Sequence, residues 1–258
     1  MKQVAIGLLH PGEMGAAVGT TLRGAGHTVL WASDGRSAET AARAERAGLV
    51  DARTTEELVR RSEVILSVCP PHAALDVARS VAGFGGIFVD ANAVSPATAR
   101  EIDATLDGSF VDAGLIGPPP REPGSTRLYL AGPEAESVAA AFAGTALEPR
   151  VVSQEAGAAS ALKMAYAAWT KGTAALLLAI RGLARAEGVE EDLLEEWQLS
   201  LPDLIGRSSA AVRSADKKAW RWVAEMEEIA ATFASAGLPE GFHLAAAEVF
   251  RRTEAGVR

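Results

Sequence analysis

Residues 4–15 read VAIGLLHPGEMG and decide the fold class. An apolar run ends at His10 and Pro11, and a helical pattern begins around Gly12 and Gly15. Between a strand and a helix, glycines permit a tight turn, close approach of the backbone to a pyrophosphate, and close helix packing. The free N–H groups at the helix N-terminus favour phosphate. The stretch therefore predicts a dinucleotide-binding turn, with a ligand-free tight turn as the alternative.

The predicted cofactor contacts in this turn are five consecutive residues. His10 stands where the fingerprint has its first glycine, and Gly12 and Gly15 fill the second and third glycine positions. The predicted contacts are His10, Pro11, Gly12, Glu13 and Met14.

Short apolar runs alternate with helical patterns through the first half of the chain. Continuous apolar runs are typical of strands buried on both faces. This order predicts an α/β fold, a Rossmann domain with a doubly wound parallel sheet. The predicted helices include residues 14–25 and 38–47, and the predicted strands are residues 4–9, 28–32, 64–68, 87–90, 110–112 and 127–130.

The second half of the chain, by contrast, lacks a strand pattern after Val151-Val152. Residues 155–187 are rich in Ala and Leu and contain no proline, which predicts one long helix unless Gly172 or Gly182 breaks it. The predicted domains are a Rossmann domain over residues 1–152 and an all-α domain over residues 153–258. Further helices are predicted at residues 193–199, 203–212, 215–236 and 242–252.

Composition narrows the classes of partner. The 258 residues include 25 Lys and Arg against 33 Asp and Glu, a net charge of −8 that disfavours nucleic acid and anionic membranes. No apolar run approaches the ~20 residues that span a bilayer. With one cysteine, Cys69, and four histidines outside metal-ligand spacing, we expect neither a disulfide nor a metal site. A cytoplasmic protein with a small-molecule substrate is expected.

The predicted second strand is followed by Ser33-Asp34-Gly35-Arg36-Ser37. An arginine with small hydroxyl groups suits the 2′-phosphate of NADP, whereas an acidic residue suits the ribose hydroxyl of NAD. Because Arg36, Ser33 and Ser37 accompany Asp34, the loop favours NADP and leaves NAD open. A solvated loop of mixed charge is the alternative.

Several segments together resemble the β-hydroxyacid dehydrogenase and 6-phosphogluconate dehydrogenase superfamily. They are the glycine turn, Ser67–His72, Asp90–Pro96, the Gly157–Lys163 segment, and a C-terminal stretch from Lys218 to Pro239. That last stretch resembles a branch whose C-terminal domain has no settled function, with imine reductases as more distant relatives. The resemblance implies that Cys69, Pro70, Pro71 and Asn92 lie beside the nicotinamide ribose.

The resemblance also implies a catalytic role for Lys163, with Tyr166 one helical turn later in place of the family's asparagine. A lysine in an apolar cleft can give a proton to the oxygen that accepts a hydride on carbon. This predicts an NADP-dependent oxidoreductase acting on a carbonyl or hydroxy compound. An imine reductase and a non-catalytic dinucleotide-binding regulator are the alternatives, and a surface role for Lys163 or a buried structural role for Tyr166 stays open.

Two segments depart from the family's pattern. The substrate loop, Asp112–Pro120, lacks the usual serine, so Gly114, Leu115 and Ile116, together with Ser95, are the weaker substrate candidates. Ala224 and Glu225 stand where the family has a Lys-Asp pair. The long Ala- and Leu-rich helix has more apolar face than a few helices can cover, which predicts a homodimer.

Overall fold

A computed structural model describes residues 3–254 of the chain. Within these residues, eight strands form one sheet in the order β3-β2-β1-β4-β5-β6-β7-β8. The strands are β1 (Ala5–Leu9), β2 (Thr28–Trp31), β3 (Val50–Asp51), β4 (Val64–Ser67), β5 (Ile87–Asp90), β6 (Ser109–Ile116), β7 (Thr126–Ala131) and β8 (Leu147–Ser153). Every pairing is parallel except that of β6 with β7. The predicted α/β fold with a doubly wound, mostly parallel sheet is confirmed.

Helices cover both faces of this sheet and make up the C-terminal half of the chain. They are α1 (Glu13–Gly24), α2 (Ala38–Arg46), α3 (Thr55–Arg61), α4 (Ala74–Arg79), α5 (Pro96–Ala104), α6 (Ala135–Ala141), α7 (Ala158–Ala186), α8 (Glu190–Ser200), α9 (Asp203–Ser235) and α10 (Gly241–Glu254). In the described chain, no helix is both long and apolar enough to cross a membrane.

The central strands bury side chains on both faces, which explains their continuous apolar sequence. Neighbouring residues of one strand, such as Leu8 and Leu9, enter two different core clusters. One cluster packs against α1, α2 and α6, and the other against α3, α4 and α5. The same division applies to Val29 and Leu30, Leu66 and Ile65, Val89 and Phe88, and Val111 and Phe110.

Several element boundaries differ from the predictions. The two helices predicted at residues 203–212 and 215–236 form the single helix α9, because the residues between them include neither proline nor glycine. Gly172 and Gly182 lie within α7 without breaking it. The short strand β3 was not predicted, and neither was β8, an edge strand in which Glu148, Pro149 and Arg150 interrupt the apolar pattern. An edge strand tolerates proline because one side of its backbone needs no sheet partner.

A buried carboxylate joins the sheet to the start of α7. Asp112, on β6, is fully buried. Its Oδ2 accepts hydrogen bonds from the N–H groups of Gly157 and Ser160, each at 2.9 Å, and its Oδ1 accepts one from the Ser160 hydroxyl at 2.5 Å. Asp112 therefore acts as the N-terminal cap of α7, supplied by a residue 45 positions earlier.

The approach of α7 to β6 also depends on a glycine. A Cβ atom at Gly114 would lie 3.1 Å from the carbonyl oxygen of Ala159 and 3.1 Å from the Cβ of Lys163. A side chain there would push the strand and the helix apart. Gly114 and Asp112 together fix the position of the first turns of α7.

The described chain divides into two compact units inside α7, between Lys163 and Met164. The first unit contains the sheet and its helices. In the second unit, Met226 and Ile229 of α9 are fully buried, as is Phe250 of α10. Phe250 packs edge-on against Trp222 at 5.0 Å between ring centroids. The apolar stripe of α9 is therefore core, as its helical spacing predicts.

We predict that Asp112→Ala lowers the free energy of unfolding by about 3 kcal/mol, because the buried donors of Gly157 and Ser160 lose their acceptor. Urea unfolding followed by circular dichroism measures this change. Ser37→Ala is the matched control: it removes the exposed cap of α2, which accepts a hydrogen bond from the N–H of Thr40 at 3.2 Å. Its expected cost is about 1 kcal/mol. Equal losses in the two variants would contradict the role assigned to Asp112.

Candidate dinucleotide and catalytic site

The turn after β1 has the geometry of a phosphate-binding turn. His10 adopts a left-handed backbone conformation, with φ of 67°, and its carbonyl accepts a hydrogen bond from the N–H of Gly12 at 2.7 Å. A Cβ at Gly15 would lie 2.7 Å from the His10 carbonyl oxygen, so only glycine permits this packing. A Cβ at Gly12 would meet no atom within 4 Å. The N-terminus of α1 is therefore open at Gly12, where an anion can approach the backbone.

The His10 side chain is neutral at pH 7. Burial lowers the pKa of His10 to about 4, and the positive charge of Arg36 contributes to the same shift. Among the described residues, no hydrogen-bond partner meets its buried Nδ1 atom. The influence of Arg36 on His10 shows that the loop after β2 brings its charge close to the turn.

The loop after β2 presents one exposed cation and two engaged hydroxyls. Ser33 donates a hydrogen bond to Oδ2 of Asp51 at 2.8 Å, and Ser37 caps α2. Arg36 is exposed, and its N–H donates to the Ser33 carbonyl at 3.1 Å. Of the three residues predicted to favour NADP, Arg36 is the one whose side chain is held by no other described group.

Asn92 connects the ends of β4 and β5. Its Oδ1 accepts a hydrogen bond from the N–H of Cys69 at 2.5 Å, and its Nδ2 donates to the Ser67 hydroxyl at 3.0 Å and to the Asp90 carboxylate. Burial raises the pKa of the Cys69 thiol to about 12, with the Asp90 carboxylate as a second cause. The thiol therefore stays protonated and serves packing.

Three further predicted residues, Pro70, Pro71 and Ser95, lie in the turns that follow β4 and β5. Pro71 begins a short 3-10 turn, Pro71–Ala73, for which Pro70 is the preceding cap residue. Ser95 is buried and caps α5 by accepting a hydrogen bond from the N–H of Thr98 at 3.1 Å. The hydroxyl of Ser95, a weaker substrate candidate from the sequence, is thus engaged as the cap of α5.

Lys163 lies 1.5 turns into α7 and contacts β6. Its Nζ donates a hydrogen bond to the carbonyl oxygen of Leu115, and its Cβ lies over Gly114. Leu115 and Ile116 themselves are buried core residues of β6. Tyr166 follows one turn later on the same helix and is 50% exposed. The structure thus brings the predicted lysine to two of the four weaker substrate candidates, Gly114 and Leu115.

The register in which the strands pair places Leu115 and the turns that carry His10, Cys69 and Asn92 at one edge of the sheet. Asp90, the last residue of β5, pairs with Asp112, so Leu115 lies three residues beyond that level on β6. The parallel strands β1, β4 and β5 end at the same edge, where their turns carry His10, Cys69 and Asn92. Ligands of open α/β sheets bind at this carboxyl edge. Over residues 3–254, no group of three or more His, Cys, Asp or Glu side chains is arranged to hold a metal ion.

Family models match both halves of the chain. Residues 5–94 match the family described as NADP oxidoreductase, coenzyme F420-dependent, and residues 184–253 match a domain of unknown function, DUF1932. An uncharacterised 28.5 kDa protein of Methanothermus fervidus is 34% identical over 165 residues. That alignment spans 62% of this chain and 63% of the relative, less than two thirds of the relative's length.

Solved structures extend the likeness to the whole chain. The conserved protein MTH1747, of unknown function and described as similar to 3-hydroxyacid dehydrogenases, is 28% identical with a TM-score of 0.72 over 98% of this chain and 97% of that chain. Two more distant structures share the fold. The 3-hydroxyisobutyrate dehydrogenase of Salmonella typhimurium has a TM-score of 0.70 at 17% identity, covering 98% of this chain and 95% of that one. The reductive aminase of Aspergillus terreus in complex with NADPH has a TM-score of 0.62 at 19% identity, covering 99% of this chain and 95% of that one.

These matches confirm the resemblance to the β-hydroxyacid dehydrogenase superfamily that was inferred from the sequence. The glycine turn, the helix α7 that carries Lys163 and the C-terminal match to a domain of unknown function agree with that resemblance. Ala224 and Glu225 stand where the superfamily that the sequence resembles has a Lys-Asp pair, and Glu225 still has a cation as its partner. Lys171 of α7 forms a buried ion pair with Glu225 at 2.6 Å, so the cation comes from a different helix.

Some residues at this site could not be found from sequence. Arg43 of α2 donates a hydrogen bond to the Pro11 carbonyl in the phosphate turn at 3.4 Å, while it also pairs with Glu39 at 2.6 Å. Asp112 caps the lysine helix from another element. Asp112 lies within a segment that the resemblance already singled out, but no local pattern indicates a partner 45 residues away.

We predict that His10 makes the folded state sensitive to acid. Because the pKa of His10 falls from 6.5 to about 4 on folding, the unfolded chain binds the proton first as the pH decreases. The contribution of the neutral His10 to the free energy of unfolding is complete above pH 6.5 and is lost as the pH falls toward 4. The expected loss is about 1–2 kcal/mol after allowance for partial exposure.

Urea unfolding at a series of pH values between these limits measures the loss. His10→Asn, which tolerates the left-handed backbone, should flatten the dependence of stability on pH. His72→Asn, at an exposed histidine, is the matched control and should leave the dependence as it is. If the free energy of unfolding depends on pH in the same way in the His10 variant and in the unmodified protein, His10 is not the source of the acid sensitivity.

Proposed function

We propose that this chain is an NADP-dependent oxidoreductase that transfers a hydride between NADPH and a small organic carbonyl or hydroxy compound. The observation that carries the proposal is the position of Lys163, hydrogen-bonded to Leu115 at the carboxyl edge of the sheet that also holds the glycine turn. A lysine anchored there can serve a reaction at the nicotinamide end of a dinucleotide.

The residues of the turn fit this cofactor. Gly12 leaves the N-terminus of α1 open, Gly15 permits the close packing of the helix, and Arg36 supplies a cation near His10 for a 2′-phosphate. The reductive aminase of Aspergillus terreus, which shares the fold, is described in complex with NADPH. When bound, NADPH supplies the hydride. The chain's own residues then have to bind the phosphates, orient the nicotinamide and handle the proton.

Lys163 is proposed as the general acid and base. An ammonium group has three N–H donors, and the Leu115 carbonyl accepts one of them and so orients the head group. From that position Lys163 gives a proton to the oxygen on which charge develops during hydride transfer, or removes it in the reverse direction. Tyr166, half-exposed one turn later, is proposed to hydrogen-bond the substrate or the lysine. Asn92 contributes by joining the ends of β4 and β5, and Ser95 contributes by capping α5, rather than by direct contact.

Reduction of a C=N bond is the second candidate. The observation in its favour is Tyr166, whose phenol is accessible one turn from Lys163 and adds a second proton donor to the helix. Loss of the NADPH absorbance in the near ultraviolet, measured with a panel of carbonyl compounds and with the same panel plus amines, separates the two reactions. Cofactor binding without turnover on either panel would instead indicate a dinucleotide-binding regulator.

We predict that Lys163→Met lowers turnover by roughly 10²–10⁴-fold while NADPH binding stays unchanged, because the variant retains the length of the side chain but has no proton to give. The profile of rate against pH should lose its upper limb. Lys218→Met, at an exposed lysine of α9, is the control and should retain full turnover. Near-normal turnover in the Lys163 variant would show that this lysine is structural.

We predict that Arg36→Ala weakens NADPH binding by about 10–100-fold and leaves NADH binding nearly unchanged. A charge-assisted hydrogen bond to the 2′-phosphate, which only NADPH carries, is worth roughly 1.5–3 kcal/mol. Fluorescence titration with both cofactors measures the two dissociation constants. If the unmodified protein binds both cofactors equally, the preference for NADP is wrong and NAD becomes the cofactor to test.

We propose further that the chain is a homodimer in which α7 contributes to the interface. Three large apolar side chains on this helix are exposed: Trp169, Leu176 and Leu183, at 63%, 44% and 65%. With Thr173 and Ile180 between them, they follow alternating spacings of three and four residues. That spacing is the seam of a helix that packs against another helix, and a two-fold axis would pair it with itself.

We predict that the double variant Leu176→Glu and Leu183→Glu is monomeric, because charge within an apolar seam must be desolvated when two helices pack. Light scattering should give twice the mass of one chain for the unmodified protein and a single-chain mass for the variant. Leu199→Glu, at an 81% exposed leucine of α8 outside the seam, should remain a dimer. A monomeric unmodified protein at micromolar concentration would refute the proposal.

A further inference from the structure

Arg53, between β3 and α3, has an unusual backbone conformation. Its φ is 69°, in the left-handed region that long side chains seldom adopt. Two hydrogen bonds hold it there: its N–H donates to Oδ1 of Asp51 at 2.7 Å, and its carbonyl accepts from the N–H of Asp34 at 2.8 Å. Strained residues of this kind cluster at sites that bind ligands, so an observed outlier raises the question of function.

The hydrogen bonds around Arg53 join it to the loop that carries Arg36. The other carboxylate oxygen of Asp51 accepts the hydroxyl of Ser33 at 2.8 Å, and the Ser33 carbonyl accepts the N–H of Arg36 at 3.1 Å. Trp31 of β2 pairs with Asp51 of β3 in a parallel register, so both chains leave the sheet at the same edge. The two arginines therefore flank Asp34 on neighbouring loops.

Both guanidinium groups are available to an anion. Arg36 and Arg53 are exposed, and among the described residues no carboxylate forms an ion pair with either. Nearby arginines on α2 and α3 are instead paired with carboxylates: Arg43 pairs with Glu39 and Arg60 pairs with Glu57, each at 2.6 Å. Both oxygens of Asp51 are occupied by Ser33 and the Arg53 backbone, which leaves the exposed Asp34 as the acid between the two cations.

We propose that Arg53 is a second ligand of the 2′-phosphate, which it holds together with Arg36. This inference rests on the proposed binding of NADP at this edge of the sheet. A phosphate dianion can accept several charge-assisted hydrogen bonds, and two guanidinium groups match it better than one. The Asp51 network keeps the Arg53 backbone in its strained conformation against the Arg36 loop, and thereby determines cofactor specificity from outside the β2 loop.

The test separates the guanidinium from the backbone conformation. Arg53→Gly removes the side chain and adopts a positive φ without strain, whereas Arg53→Lys retains a charge on the same backbone. The probes are adenosine 2′,5′-bisphosphate and adenosine 5′-monophosphate, titrated by calorimetry against the whole chain, together with NADPH and NADH. Thermal unfolding checks that each variant is folded, and Arg60→Ala is the matched control on α3.

Arg53→Gly should weaken the bisphosphate and NADPH by roughly 10-fold or more and change the monophosphate and NADH by less than about 2-fold. Arg53→Lys should retain part of the affinity, and Arg60→Ala should retain all of it. Unchanged bisphosphate affinity in the glycine variant would overturn the inference while leaving the NADP proposal intact. Failure of the unmodified protein to bind the bisphosphate would overturn both. Weakening as expected without turnover on any substrate would support Arg53 and refute only the enzymatic proposal.

Discussion

The cap that Asp112 places on α7 is the interaction on which the site depends. Burial raises the pKa of this carboxyl group, while hydrogen bonds from Ser160, Gly157 and Ala159 act in the opposite direction. The N-terminal end of a helix is positive, so it can stabilise a buried anion that would otherwise cost several kcal/mol. Because this pairing fixes where the helix begins, Lys163 lies over Gly114 and reaches the Leu115 carbonyl.

The charges at the candidate site come from a narrow set of side chains. Burial keeps His10 neutral and Cys69 protonated, so neither competes with the arginines and the lysine for an anionic ligand. Asn92 has both ends of its amide bound to neighbouring strand ends and contributes rigidity instead of charge. In the proposed function, the exposed arginines bind phosphate, Lys163 transfers the proton, and the Cys69 sulfur takes no part in the chemistry.

Local patterns in the sequence predicted the fold, and non-local contacts limited the prediction of the site. The turn around His10–Gly15 and the continuous apolar runs follow from short-range geometry, so their elements could be placed closely. The strand β8 could not, because Pro149 and its charged neighbours obscure an edge strand that only its pairing with β7 defines. The role of Asp112 depends on a partner 45 residues away, and that of Asp51 depends in part on Ser33, 18 residues earlier. The left-handed backbone of Arg53 has no sequence signal of the kind that glycine provides.

The short distance between the Asp112 cap and Lys163 limits how far the lysine can shift. Lys163 lies three residues, or about 5 Å along the helix axis, from Ser160, which the cap binds. A tilt of α7 about its capped end displaces each residue in proportion to its distance from that end. Lys163 is therefore displaced less than any residue that follows it on the helix.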